Sequence, residues 1–187
     1  MVTVRFGMAS DRLTRICRAG PGHVPALADL QLRTALAAYD GLFPPDAPRP
    51  TVEGLVASWS AMVADPEVSV FAVADGLDPD RAAPGLLGCV AARPDPGSPG
   101  EGEITRLYVR PDSWGRGLGR RLLDVALADR VVRGCGRAGL WVLADNHQGR
   151  AFYERLGWRL DPTRVLHGSG LRPLEVRYTR RLSHRPR

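Results

Sequence analysis

Hydrophobic positions recur along this chain with two different periods, and the switches between them mark its elements. Residues 13–18 read as a short first strand. From 22 to 42 the apolar spacing becomes helical, with Leu27, Leu30, Ala35 and Ala38 among its positions. Thr51 is suited to cap a second helix running to about Ala64. Residues 68–74 and 86–92 predict an antiparallel pair joined through a Gly/Asp/Pro turn, and 103–109 predicts a further strand. After it, Leu122, Leu123, Ala126 and Leu127 form one broad apolar face of a helix that should end near Gly134 and Gly136. A buried strand at 138–143, a helix at 148–156 stopped by Gly157, a strand at 158–162 and an alternating strand at 174–182 complete the pattern. Proline-rich stretches at 44–50 and 93–100 read as loops, because proline removes backbone donors. There are no internal repeats. The order predicts one mixed α/β domain with its core at about 13–182, an N-terminal extension at 1–12 and a basic tail at 183–187.

Composition narrows the chemistry. The 187 residues suit one domain with a sizeable core. No apolar run reaches the length of a membrane span and no signal peptide is evident, so the expected location is the cytoplasm. Cys17, Cys89 and Cys135 are odd in number and lack Cys-x-x-Cys spacing, which argues against structural disulfides and a zinc site. The histidines, His23, His147, His167 and His184, have no metal spacing either, so no metal is expected. The net charge of +6 is unevenly spread: residues 1–100 carry 8 Arg against 11 acids, and residues 101–187 carry 18 Arg against 9 acids. An anionic ligand for the second half, arginine replacing lysine throughout, and a solvated basic end all account for this. Nucleic acid is not an expected partner, since no recognition motif accompanies the charge.

The charge surrounds a strand, a glycine-rich turn and a helix, in which Gly115, Gly117 and Gly119 precede Arg120 and Arg121. Such a turn aims backbone N–H groups and a helix N-terminus at an anion, so the ligand should carry a phosphate or pyrophosphate. A nucleoside triphosphatase loop needs a lysine, and this chain has none. The dinucleotide fingerprint needs Gly-x-Gly-x-x-Gly and an acid about 20 residues on. Here the spacing is Gly115-x-Gly117-x-Gly119, and no acid lies between Asp129 and Asp145.

Two segments resemble the GNAT superfamily of acyl-CoA-dependent N-acetyltransferases. Trp114-Gly-Arg-Gly117-Leu-Gly119 is similar to its Gln/Arg-x-x-Gly-x-Gly/Ala loop, with Trp114 in place of Gln or Arg. Asn146-His-Gln-Gly149-Arg-Ala-Phe152-Tyr153-Glu-Arg155-Leu-Gly-Trp158 is similar to its Asn-x-x-Ala-x-x-x-Tyr-Glu-Lys-Leu-Gly-Phe block. The resemblance implies a mostly antiparallel sheet of about six or seven strands flanked by about four helices. It also implies a sheet splayed between the 103–109 and 140–143 strands, with acetyl-CoA as co-substrate in the gap and an amine on a small molecule or protein as acceptor. Glu103 then stands where some members keep a general base, and Tyr153 where they keep the acid that protonates the departing thiolate. Leu107 and Val109 would act through the backbone: the Leu107 N–H toward the thioester oxygen, Val109 pairing with the pantetheine arm like an added strand. Tyr108, Trp114, Gly115, Arg116, Gly117, Leu118, Gly119, Arg120, Asn146, Phe152 and Arg155 would complete the cofactor contacts. Asn146 is also suited to cap the following helix. The cysteines read as core residues, so the amine should attack directly. The alternative is a catalytically silent acyl-CoA-binding module. The acceptor's identity and the oligomeric state, a homodimer included, stay open.

Overall fold

In a computed structural model, the structure describes residues 14–38, 42, 47–75, 85–166 and 173–182; the expected extension and basic tail lie outside them. Seven strands form one sheet in the order β1-β2-β3-β4-β5-β7-β6. They are β1 (Thr14–Arg18), β2 (Ser69–Asp75), β3 (Leu86–Pro94), β4 (Glu101–Val109), β5 (Arg137–Leu143), β6 (Arg159–Leu166) and β7 (Glu175–Arg181). Every neighbouring pair is antiparallel except β4 with β5. The helices are α1 (Val24–Ala38), α2 (Val52–Ala64), α3 (Leu118–Val132) and α4 (His147–Arg155). The elements match the predicted order. β6, however, continues past Pro162 to Leu166, with its register shifting between Asp161 and Val165. An edge strand tolerates such a break, because its outer donors have no ladder partner to lose.

The sheet separates two cores, which is why its central strands are apolar on both faces. Leu27, Leu30, Leu55 and Trp59 of α1 and α2 pack with Val70, Ala72, Cys89 and Ala91. Leu118, Leu122, Leu123, Ala126 and Leu127 of α3 pack with Val90, Ile104, Leu140 and Tyr178, and α4 adds Phe152 and Tyr153. Local caps set two of the helix starts. Thr51 Oγ1 accepts the Gly54 N–H at 3.1 Å, and Asn146 Oδ1 accepts the Gly149 N–H at 2.8 Å.

One polar network ties α3 to β2. Arg130 is fully buried, and its Nη2 donates to Ser69 Oγ and to Asp129 Oδ2, both at 2.6 Å, while Ser69 Oγ donates to Asp129 Oδ2 at 2.7 Å. Burial alone would raise the Asp129 carboxyl. The Ser69 and Arg130 hydrogen bonds outweigh it and hold the group below the ordinary carboxylate range. Asp129→Ala should therefore cost about 3 kcal/mol in urea unfolding at neutral pH, because Arg130 would keep a buried charge without its carboxylate. A depressed folded value adds stability that is complete above the unfolded carboxyl value, about 3.9, and is lost as pH falls through the folded one. The gap between wild type and variant should narrow below about pH 4. A gap independent of pH would show that the carboxylate contributes no charge interaction.

Candidate functional site

The gap in the sheet begins at a break in the β4 ladder. Ala91 of β3 pairs with Arg106 and Ala92 with Ile104, so Thr105 is an extra residue that bulges the strand. On its other edge β4 pairs with β5 only from Glu101 opposite Arg137 to Ile104 opposite Leu140. Beyond Ile104 the two strands separate. The Arg110 N–H donates to Leu87 O at 2.9 Å, toward β3. Successive residues of a strand present their backbone groups to alternate edges, so Val109 and Leu107 present theirs to the edge that β5 has left.

A cavity of about 480 Å³ occupies this opening. At one end lies the start of α3, where Gly115 and Gly117 have φ of 76° and 75°. Those left-handed values suit glycine. Gly117 is the N-cap of α3 and no side chain caps the helix, so the N–H groups of its first turn retain an anion-binding arrangement. Gly119 brings the α3 backbone against α4: a Cβ there would lie 3.1 Å from Phe152 Cζ. Trp114 replaces a polar family position, yet its indole N–H donates to Val109 O at 2.6 Å and ties the loop to the end of β4. The Val109 carbonyl thus accepts a hydrogen bond from the loop.

The structure brings into the lining every expected cofactor-contacting residue except Arg116: Leu107, Tyr108, Val109, Trp114, Gly115, Gly117, Leu118, Gly119, Arg120, Asn146, Phe152 and Arg155. Tyr153 also lines the cavity, with its ring edge-to-face on Phe152 at 5.2 Å and Trp158 at 6.0 Å. Arg116 is exposed outside the lining. Glu103 is outside it too. It sits where the sheet is still closed, opposite Gly139 on β5 and Arg93 on β3, and the Arg93 Nε donates to its carboxylate at 2.8 Å. Asn146 combines both expected features, capping α4 and lining the cavity.

Several lining residues carried no local signal. Thr34 comes from α1, Thr105 and Arg106 from β4, Trp141 from β5 and Glu175 from β7. Glu175 is the one carboxylate in the lining among the described residues. The α4 segment below the cavity is fixed by Tyr178, whose hydroxyl donates to Glu154 at 2.5 Å and accepts from Arg150 Nε at 3.1 Å. Burial and the Glu154 hydrogen bond raise that phenol above its ordinary value. Among the described residues no cluster of His, Cys, Asp and Glu could hold a metal, and no helix is long and apolar enough to cross a membrane.

Comparison with known proteins agrees with this geometry. The PaiA N-acetyltransferase of Thermoplasma acidophilum, solved with coenzyme A, superposes with a TM-score of 0.69 at 15% identity, over 90% of this chain and 98% of its own. Two mycothiol acetyltransferases are similar in sequence. That of Kocuria rhizophila is 36% identical over 103 residues, covering 52% of this chain and 32% of its own length. That of Beutenbergia cavernae is 47% identical over 57 residues, 30% of this chain and 19% of its own. The chain therefore spans between about a fifth and a third of the length of these relatives. Residues 34–158, which hold the splayed strands, the glycine loop and α4, match the acetyltransferase (GNAT) family, and the chain belongs to that family.

Proposed function

We propose that the protein transfers the acetyl group of acetyl-CoA to an amine by direct attack within a ternary complex. The observation that carries this reading is a single cavity joining an uncapped helix N-terminus, which suits a pyrophosphate, to the opened edge of β4, which suits a pantetheine arm. The coenzyme A held by the Thermoplasma acidophilum neighbour supports the same ligand class. In this reading the Leu107 N–H stabilises the thioester oxygen as it gains charge. The amine nitrogen bonds to the acyl carbon, the C–S bond breaks, and Tyr153 gives its phenolic proton to the thiolate. Acyl-cysteine chemistry finds no support. Burial pushes the Cys89 thiol up to about 12 despite the nearby Arg106, and neither Cys17 nor Cys135 lines the cavity. None of the three cysteines forms a disulfide.

The ammonium proton must leave before attack, because an alkylamine is almost wholly protonated at neutral pH. Glu103 serves as the base through intervening water in this reading, since Ile104 beside it lines the cavity and Glu103 does not. Glu103→Gln should slow turnover at neutral pH and regain part of the rate as rising pH supplies free amine. A pH–rate profile with that recovery in Glu175→Gln and without it in Glu103→Gln would move the role to Glu175. The reading as a whole is tested by coupled release of free thiol and acetylated amine from acetyl-CoA.

A further inference from the structure

One wall of the cavity contains a cation, Arg106, that no carboxylate pairs with among the described residues. Arg106 is half-buried, and the cost of removing its guanidinium from water is offset by neutral groups. Nη1 donates to Gln31 Oε1 at 3.1 Å, Nη2 donates to Ser58 Oγ at 2.6 Å, and the group lies 4.4 Å over the Trp59 ring. Gln31 and Ser58 take two of its five donors, and no carboxylate pairs with it among the described residues. Its desolvation without an opposing carboxylate lowers the guanidinium below its ordinary value. Other arginines held in this fold, Arg130 and Arg177, each have a carboxylate at 2.6 Å or less.

A second observation lies in the same cavity. Thr34, one helical turn after Gln31 on α1, is 5% exposed, lines the cavity and has a hydroxyl with no hydrogen-bond partner among the described residues. A buried hydroxyl without a partner is costly to maintain. One ligand group has the chemistry to suit both residues: a carboxylate, which accepts from a guanidinium in a planar pair and from a hydroxyl with a remaining lone pair.

We propose that the acceptor amine also carries a carboxylate, held by Arg106 and Thr34, so that the substrate class is amino acids and not simple amines. The inference rests on the acetyl-transfer reading and adds the acceptor's chemistry to it. Its basis is independent of the glycine loop: the guanidinium and the hydroxyl come from β4 and α1, outside residues 114–120.

The test uses the full chain saturated with coenzyme A. Calorimetric titration with a panel of L-amino acids and their decarboxylated amines, histidine with histamine and tyrosine with tyramine among them, reads binding without chemistry. Transfer from acetyl-CoA to the same pairs reads turnover. At least one amino acid should bind and be acetylated with kcat/KM about ten- to hundred-fold above its amine, the range expected of a charge-assisted hydrogen bond. Arg106→Gln should raise KM for the amino acid by a similar factor, close that gap, and leave KM for acetyl-CoA unchanged. Thr34→Val, which keeps volume and drops the hydroxyl, provides a milder variant should Arg106→Gln fail to fold, and should raise the same KM by a smaller factor. Equal kcat/KM for amino acid and amine, or loss of both alike in a folded Arg106→Gln, would overturn the proposal while leaving acetyl transfer intact. Absence of amino-acid binding to the coenzyme A complex would overturn it as well. Amino-acid binding without transfer would uphold the carboxylate site and overturn the acetyl-transfer reading.

Discussion

Gly117→Glu should weaken acetyl-CoA binding by about 100-fold or more while leaving the fold intact. Two physical effects combine at this position. A residue with a Cβ held at φ 75° is strained by about 1–2 kcal/mol. A carboxylate at the α3 N-terminus would also occupy the free N–H groups and repel a pyrophosphate. A Cβ at Gly117 meets nothing within 4 Å, so the effect should be on binding and not on packing. Gly117→Asn separates the two effects, because asparagine tolerates the left-handed region and carries no charge; it should retain most of the affinity. Calorimetry with acetyl-CoA and circular dichroism check both variants. Unchanged affinity in a folded Gly117→Glu protein would remove the loop from the binding site.

Tyr153→Phe should lower kcat by about 10²-fold with the Kd for acetyl-CoA close to that of the wild type. General acid catalysis typically contributes that much or more, and a loss confined to the chemical step lowers kcat and kcat/KM together. The substitution removes only the hydroxyl. The ring keeps its edge-to-face contacts with Phe152 and Trp158, so the wall of the cavity should survive. Single-turnover measurement isolates the chemical step from product release. Equal single-turnover rates would exclude the phenol as the proton donor.

The order of elements was legible because each rests on a local signal. Thr51 and Asn146 cap the helices expected to follow them, and the leucines of α3 share the face that meets the sheet. The glycine loop was legible for the same reason, since Gly115 and Gly117 have the positive φ values that only a few residue types adopt readily. The acceptor wall was not. Arg106 and Thr34 lie far apart in the chain and line the same cavity through the packing of α1 on β4, which Arg106 and Gln31 join, and no spacing rule marks such a contact. The place of Glu103 relative to the cavity depends on a single bulged residue, Thr105, and on β4 and β5 parting after Ile104, the residue that follows Glu103. Alternation alone does not mark a bulge. Trp114 shows a subtler limit: in sequence it is a departure from a family pattern, and in three dimensions its indole N–H secures the Val109 carbonyl.

The most direct test of the account is a screen of amines and amino acids with acetyl-CoA, following free coenzyme A thiol and acetylated product together. Acetyl transfer predicts equal amounts of thiol and N-acetyl product, dependent on acceptor and reduced by Tyr153→Phe. Tight acetyl-CoA binding with no acetylated product from any acceptor would contradict it and identify the chain as a catalytically silent acyl-CoA-binding module.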